Sequence, residues 1–190
     1  MTDWEEKFRG SIWQVSQQQR SDGRVFELAK RTAGVRVLLT KDGKILLNRE
    51  KRHELGLQSD LRLPGGKVYD DISEWIADYK DADKIESRAY KAAAQEMHEE
   101  CGILIKPKDL MLIKKDVNGG KGEWDLYYFY CEVFTVDPDG PSHDQHEASE
   151  IEGWQWFDKK AALAEALDVA VGMSESRSAR YVASWASGKL

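Results

Sequence analysis

The segment "SRAYKAAAQEMHEEC" constrains the fold of this chain most strongly, because it has the period of an amphipathic helix and is followed by a glycine. At 3.6 residues per turn, Glu96, Glu99 and Glu100 stand at positions i, i+3 and i+4 and share one face. A neighbouring stripe of the same helix is apolar and predicts packing on a sheet; it comprises Tyr90, Ala94, Met97 and Cys101. We therefore expect a helix over 87–101 that gathers three carboxylates on one side.

The three glutamates lie where local electrostatics oppose them. Like charges at i and i+4 repel each other, and the macrodipole at a helix C-terminus disfavours negative charge by about 0.3 to 1 kcal/mol. A solvated acidic face is one interpretation. A bound cation is the other, because Mg²⁺ takes carboxylate oxygens together with substrate phosphates and water. Upstream, Gly65 and Gly66 of "LPGG" permit a tight turn whose backbone can closely approach a metal or a phosphate.

Composition and charge exclude several other classes of protein. The 190 residues, 41% of them hydrophobic, indicate one globular domain, and no apolar run approaches the length that spans a bilayer. The start "MTDWEEKFRG" lacks the features of a secretion signal, so we expect a cytoplasmic protein. Two cysteines, Cys101 and Cys131, favour buried free thiols over a disulfide framework. A net charge of -6 argues against binding to a nucleic acid duplex.

Strand and helix patterns alternate along the rest of the chain and predict an α/β or α+β domain. An N-terminal hairpin or arm is expected over 11–31, around a Ser-Asp-Gly turn. Further strands are expected at 33–40, 44–52, 123–134 and 154–157. Helices are expected at 158–169, with Asp158 as the N-cap, and at 174–186.

"QEMHEECGI" together with "LPGG" resembles the signature box of the Nudix hydrolases, which runs Gly, five residues, Glu, seven residues, Arg-Glu-apolar-x-Glu-Glu-x-Gly-apolar. The second half matches except that Gln95 replaces the arginine. Between Gly66 and Gln95 lie 28 residues where the family has thirteen, so about fifteen residues, 72–86, are inserted, and the first glutamate position falls on Ser87. The insertion is expected to lengthen the loop or to begin an extra helical turn beside the site.

This resemblance extends from Ala33 to about Leu163 and implies an α/β/α sandwich around a mixed sheet. It divides the chain into an N-terminal β arm, 1–32, and a Nudix hydrolase domain with C-terminal helices, 33–190. The arm is similar to that of the ADP-ribose and nucleotide-sugar pyrophosphatases, which pair their arms in homodimers. A homodimer is therefore expected.

The resemblance also implies a reaction and a set of site residues. Water would hydrolyse a nucleoside diphosphate linked to another moiety, preferably ADP-ribose or a nucleotide sugar, with Mg²⁺ or Mn²⁺ as cofactor. The implied metal ligands are the Gly65 carbonyl, Glu96, Glu99 and Glu100, of which Glu99 is also counted as catalytic. The implied general base is Glu147, with Glu150 second, and the implied substrate contacts are Arg52 and Gly66. Solvated loop charges and a surface arginine are the alternatives for Glu147, Glu150 and Arg52.

Two other functions stay open at this point. The first is a (deoxy)nucleoside triphosphate pyrophosphohydrolase, although such relatives usually lack the arm. The second is a catalytically inactive Nudix module that binds or senses a nucleotide, which Gln95, Ser87 and the insertion favour. Retention of all three glutamates argues against the inactive module, because an idle site does not need mutually repelling carboxylates.

Overall fold

The computed structural model describes residues 4–52, 56, 58–117, 122–142, 150–168, 173 and 175–190. Within them the strands are β1 (Glu5–Arg9), β2 (Trp13–Gln19), β3 (Val25–Arg31), β4 (Gly34–Lys41), β5 (Lys44–Arg52), β6 (Gln58–Arg62), β7 (Ile103–Leu104), β8 (Met111–Asp116), β9 (Gly122–Glu123), β10 (Leu126–Cys131), β11 (Thr135–Val136) and β12 (Ile151–Asp158). The helices are α1 (Ile72–Asp78), α2 (Ala82–Cys101), α3 (Lys159–Leu167) and α4 (Ser176–Ala186), with a 3₁₀ turn at Pro107–Asp109.

A mixed sheet forms the centre of the molecule. Its strand order is β12-β5-β4-β10-β8, with β6 paired to β5. Strand β10 runs parallel to β4, and the other pairs are antiparallel. The N-terminal strands form a second sheet, β1-β2-β3-β9, in which β2 and β3 make the expected hairpin. Strands β6 and β8 were not anticipated, because both are short and neither QSDLR nor MLIKKD has the alternation of apolar and polar residues that marks a strand.

Helices cover both faces of the central sheet. On one face, Val35, Val37 and Phe129 share a buried apolar cluster with residues of α1 and α2. On the other face, Leu38 and Tyr128 share a cluster with residues of α3 and α4. The alternation of side chains along β4 and β10 produces these two cores. The prediction of an α/β/α sandwich is confirmed. Among the described residues, no helix is long and apolar enough to cross a membrane.

Helix α2 is longer than its sequence pattern indicated. It begins at Ala82, where the Asp81 side chain accepts a hydrogen bond from the backbone N–H of Lys84 at 3.0 Å, and it ends before Gly102, whose φ is 64°. Its buried apolar stripe repeats every four residues and consists of Ile85, Ala89, Ala93, Met97 and Cys101. Tyr90 and Ala94, which were predicted to be in the stripe, are half-buried at its edge.

The insertion 72–86 is folded and contributes to the core. It forms α1 and the first turn of α2, and it buries Ile72 and Trp75. The buried carboxylate of Asp78 accepts hydrogen bonds from the Tyr69 hydroxyl at 3.1 Å and from Lys84 at 2.6 Å. Among the described residues, none from the insertion lines the cavity described below. Helix formation and apolar burial therefore account for this segment better than a longer loop does.

Strands β4 and β5 are paired only beside their connecting turn, through Thr40 with Ile45 and Lys41 with Lys44. Further along, segment 64–68 occupies the space between them. The backbone N–H of Val35 donates to the carbonyl of Gly66 at 3.0 Å, and that of Val37 donates to the carbonyl of Pro64 at 2.9 Å. The diglycine bend is thus built into the sheet beside the first half of β4.

Gly65 cannot carry a side chain in this position. Its φ is +135°, and a Cβ atom there would lie 2.4 Å from the carbonyl oxygen of Val35. Both the backbone conformation and the close approach to β4 therefore require glycine.

Candidate active site

A cavity of about 280 Å³ opens where α2 meets the diglycine bend. Its walls combine charges of both signs. The carboxylates that line it are Glu50, Glu96, Glu100 and Glu150, and the cationic side chains are Arg31, Arg36, Arg62 and Lys67. Gly65, Gly66, Trp124 and Ile151 complete the lining among the described residues. Such a lining can hold a cation and an anionic ligand side by side.

Glu100 is the carboxylate held most firmly. It is buried, and its Oε2 accepts hydrogen bonds from the backbone N–H of Gly65 at 2.9 Å and from the Asn48 Nδ2 at 2.7 Å. Asn48 lies on β5 and Gly65 lies against β4, so Glu100 bridges the opening between the two strands. Asn48 is itself fixed by the thiol of Cys101, which donates to its Oδ1 at 3.2 Å.

Burial and neighbouring charge raise the pKa of Glu100. Loss of hydration is the largest cause, followed by repulsion from Glu50 and Glu96, and the Gly65 N–H and the charge of Arg36 oppose the shift only in part. Binding of a divalent cation would lower the pKa of such a carboxylate, because the cation stabilises the ionised form. A cation bound beside Glu100 would therefore oppose the upward shift of its pKa.

Glu96 contacts the second glycine of the bend. Its Oε1 accepts a hydrogen bond from the backbone N–H of Lys67 at 3.1 Å. A Cβ atom on Gly66 would lie 2.1 Å from that oxygen, so a side chain at Gly66 would displace the carboxylate. Gly66 therefore permits the close approach of Glu96 to the bend.

Among the described residues that line the cavity, Glu96 and Glu100 are present and Glu99 is not. Its Oε1 accepts a hydrogen bond from the Nε2 of Gln95 at 2.7 Å. Glu99 lines a neighbouring groove of about 430 Å³ that shares Glu96 and Lys67 with the cavity. The helical period that put three glutamates on one face thus distributes them between two adjoining spaces.

The remaining residues singled out by sequence fall in different places. Glu150 lies on the cavity wall. Glu147 lies outside the described residues. Arg52 ends β5, and its side chain also lies outside the described part of the structure.

Oxygen donors around the bend suit a hard divalent cation. Among the described residues, no three His, Cys, Asp or Glu side chains already form a metal-binding group. Two carboxylates, Glu96 and Glu100, nevertheless flank the bend that carries the Gly65 carbonyl. Mg²⁺ and Mn²⁺ sites commonly combine a few such protein oxygens with water and substrate phosphates. The residues present therefore fit such a cation.

Several lining residues were missed by the sequence interpretation. Arg36 interrupts the apolar run "AGVRVLLT", and a lone charge in a buried strand was a usable signal. Arg62 donates to Asp60 at 2.7 Å and lies 3.9 Å from Glu50. Trp124 contacts two guanidinium groups. Its ring centroid lies 4.0 Å from the Cζ of Arg31 and 4.4 Å from the Cζ of Arg177. Pairing between distant segments assembles the contacts of Arg62 with Glu50 and of Trp124 with the two arginines, so no local spacing reveals these contacts.

The raised pKa of Glu100 predicts that replacing this residue increases the stability of the metal-free protein and weakens metal binding. Because the folded-state pKa lies above the ordinary value of 4.5, ionised Glu100 destabilises the metal-free protein at neutral pH. Glu100→Gln should therefore raise the free energy of unfolding in EDTA by about 1 kcal/mol or more at neutral pH. This gain should shrink as the pH falls from the raised pKa of folded Glu100 towards 4.5, and it should be absent below 4.5, where Glu100 is protonated in both states. Urea unfolding with and without Mn²⁺ measures both effects.

Mn²⁺ should stabilise the wild-type protein and leave Glu100→Gln nearly unchanged. Glu74→Gln, on the exposed side of α1, is the matched control and should behave like the wild type. A loss of metal-free stability in Glu100→Gln, with the Mn²⁺ effect retained, would contradict this account of the cluster.

Comparison with known proteins is consistent with this geometry. A family model described as the NUDIX domain matches residues 30–175. A solved structure described as an ADP compounds hydrolase is similar in fold, with 17% sequence identity, a TM-score of 0.64, and coverage of 99% of this chain and 95% of that chain. A Nudix hydrolase from Nitrosomonas europaea has 18% identity, a TM-score of 0.57, and coverage of 83% and 90%, respectively. No curated protein matches the chain significantly. Because the family model spans most of its length, the chain belongs to the Nudix hydrolase family.

Proposed function

We propose that the protein hydrolyses a nucleoside diphosphate linked to another moiety, with ADP-ribose or a nucleotide sugar as the preferred substrate and Mg²⁺ or Mn²⁺ as cofactor. The observation that carries this proposal is the cavity that Glu96, Glu100 and Gly65 line together with several cationic side chains. The similar fold of a protein described as an ADP compounds hydrolase supports the substrate class. A cytoplasmic location stays a prediction.

The oxygens of Glu96, Glu100 and the Gly65 carbonyl would hold the cation. When bound, the cation would neutralise phosphate oxygens and act as a Lewis acid. Glu99 would be a further ligand, approaching from the adjoining groove that also contains Glu96. This arrangement uses all three glutamates of α2.

The cationic side chains of the cavity would bind and orient the diphosphate. Arg31, Arg62 and Lys67 line the same cavity as the carboxylates and can donate hydrogen bonds to phosphate oxygens. At Gly66 the backbone approaches the ligand without a side chain. Trp124 lines the same cavity, with its indole ring packed against the guanidinium groups of Arg31 and Arg177. Fixed positions for the phosphates favour attack by one water molecule along a defined direction.

Hydrolysis requires a group that accepts a proton from the attacking water. As water bonds to phosphorus, the bridging P–O bond breaks and its electron pair passes to the leaving phosphate. Glu150 lies on the cavity wall and is our candidate for the proton acceptor, with Glu147 as the second. For Arg52, we propose a contact with substrate phosphate at the end of β5.

The proposed activity predicts metal-dependent cleavage of a diphosphate linkage. With Mg²⁺, wild-type protein should convert ADP-ribose to AMP and ribose 5-phosphate, and Glu100→Gln should lower kcat by about 100-fold or more. Glu74→Gln should keep wild-type turnover. Chromatography of the nucleotide products over a panel of ADP-ribose, nucleotide sugars and nucleoside triphosphates measures the preference.

Turnover confined to triphosphates would favour a nucleoside triphosphate pyrophosphohydrolase instead. Nucleotide binding without metal-dependent turnover of any diphosphate would indicate an inactive binding module.

The general-base assignment predicts a separate kinetic signature. Glu150→Gln should lower kcat by about 100-fold and leave KM within about threefold, because the base acts in the chemical step. It should also remove the acidic limb of the pH-rate profile. If Glu147→Gln shows this pattern and Glu150→Gln does not, Glu147 is the base. Wild-type kcat in both variants would contradict the assignment of either residue.

A second copy of the chain is the partner we propose for the N-terminal sheet. Strand pairing places Phe8, Trp13 and Val25 on one face, since Phe8 is opposite Val15 and Val25 is opposite Gln19. Phe8 is 56% exposed and Val25 is 55% exposed, so this apolar face contacts water in the single chain. Apolar area of this kind is typical of interfaces.

If this face forms the homodimer interface, introducing charged side chains on it should dissociate the two copies. Phe8→Asp with Val25→Asp should shift the mass measured by light scattering from dimer to monomer, because charged groups would be buried without partners. Leu167→Asp, at an exposed apolar site on α3, is the control and should leave the mass unchanged. A wild-type monomer at micromolar concentration would contradict the proposal.

A further inference from the structure

A buried ion pair lies directly beneath the diglycine bend. The guanidinium of Arg36 donates from Nε to the carboxylate of Glu175 at 2.9 Å, and both side chains are about nine-tenths buried. Its Nη1 donates to the carbonyl of Gly65 at 2.5 Å and to that of Val35 at 3.0 Å. One guanidinium thus joins β4, the residue preceding α4 and the bend.

Glu175 is also held by a residue of α4. Its Oε2 also accepts a hydrogen bond from the Ser178 hydroxyl at 2.9 Å, within the first turn of α4. Burial alone would favour the neutral carboxyl, but the charge of Arg36 outweighs it and lowers the pKa of Glu175 to about 2. Both partners are therefore charged at neutral pH, which holds the guanidinium in one orientation.

Stability alone is a poor explanation for this pair. A buried ion pair recovers little more than its own desolvation cost, and apolar residues of similar size often serve a core equally well. Arg36 contacts the carbonyl of Gly65, and the N–H of the same residue is bonded to Glu100. Gln95, at the arginine position of the family box, instead donates to Glu99.

We infer that Arg36, held by Glu175, is the positioning residue that fixes the Gly65 carbonyl for metal binding. One lone pair of the carbonyl oxygen accepts from the guanidinium, and the second is available to a cation. The two peptide groups that flank the Gly65 Cα are thereby both held, one by Glu100 at the Gly65 N–H and the other by Arg36 at the Gly65 carbonyl. A fixed donor lowers the cost of ordering the site when a cation binds.

This inference rests on the proposed function, because it assumes that the Gly65 carbonyl is a metal ligand. Its test therefore uses Mn²⁺ alone, measured by titration calorimetry without substrate, besides turnover. The principal variant is Arg36→Met with Glu175→Met, which removes both charges together and leaves neither one buried alone. Arg36→Lys is the conservative variant, since lysine keeps the charge but lacks the planar fork that reaches two acceptors.

The matched control is another Arg–carboxylate pair between α4 and the central sheet. Arg180 contacts Asp116 of β8 at 2.5 Å, and among the described residues neither lines the cavity. Arg180→Met with Asp116→Asn should leave Mn²⁺ affinity unchanged.

We expect the Arg36→Met and Glu175→Met protein to keep the urea midpoint of the wild type and to bind Mn²⁺ at least about tenfold more weakly. The Mg²⁺ concentration for half-maximal turnover should rise by a similar factor, with KM at saturating Mg²⁺ little changed. The Mn²⁺ affinity of Arg36→Lys should lie between that of the wild type and that of the double variant. If the double variant does not fold, the Mn²⁺ affinity of Arg36→Lys alone tests the inference.

Wild-type Mn²⁺ affinity in a folded double variant, or in Arg36→Lys, would overturn the inference alone. Failure of the wild-type protein itself to bind Mn²⁺ would contradict the proposed function, and the inference would fall with it.

Discussion

The pairing of segment 64–68 with the first half of β4 is the constraint on which the rest of the site depends. Because this segment takes the place that β5 would otherwise occupy, it opens the sheet and places a diglycine bend at the opening. Glu100 enters the opening from α2 and bonds to Gly65 and to Asn48. Glu96 packs on Gly66, and Arg36 supports Gly65 from below. Two glycines and one helix thus determine where the site residues meet.

Charge balance explains why these residues form a site rather than an ordinary core. Buried carboxylates destabilise a fold unless positive charge offsets them, and burial together with Glu50 and Glu96 raises the pKa of Glu100. Arg36 supplies part of that positive charge, but it is itself paired with Glu175. Arg62 is shared in the same way between Asp60 and Glu50. A divalent cation would supply the remaining charge and would also attract a diphosphate.

The parts of the site that depend on local spacing could be predicted from the sequence. The glutamates of α2 and the glycines of "LPGG" were identified because helical period and turn chemistry act within a few residues. The same period could not show that Glu99 faces a separate groove, since this depends on where the bend lies. Arg36, Trp124 and Glu175 were missed because strand pairing and the approach of α4 bring them together from distant segments. Helix α2 begins earlier than expected because the insertion adds Ile85 to its apolar stripe and Asp81 as its cap.

The most direct test of a cation held between α2 and the diglycine bend is a crystal structure with Mn²⁺ and a non-hydrolysable ADP-ribose analogue, using anomalous scattering to locate the metal. The account predicts an anomalous peak coordinated by the Gly65 carbonyl and by the carboxylates of Glu96 and Glu100, with phosphate oxygens completing the coordination. A peak elsewhere, or a bound analogue with these carboxylates turned away from the bend, would contradict it.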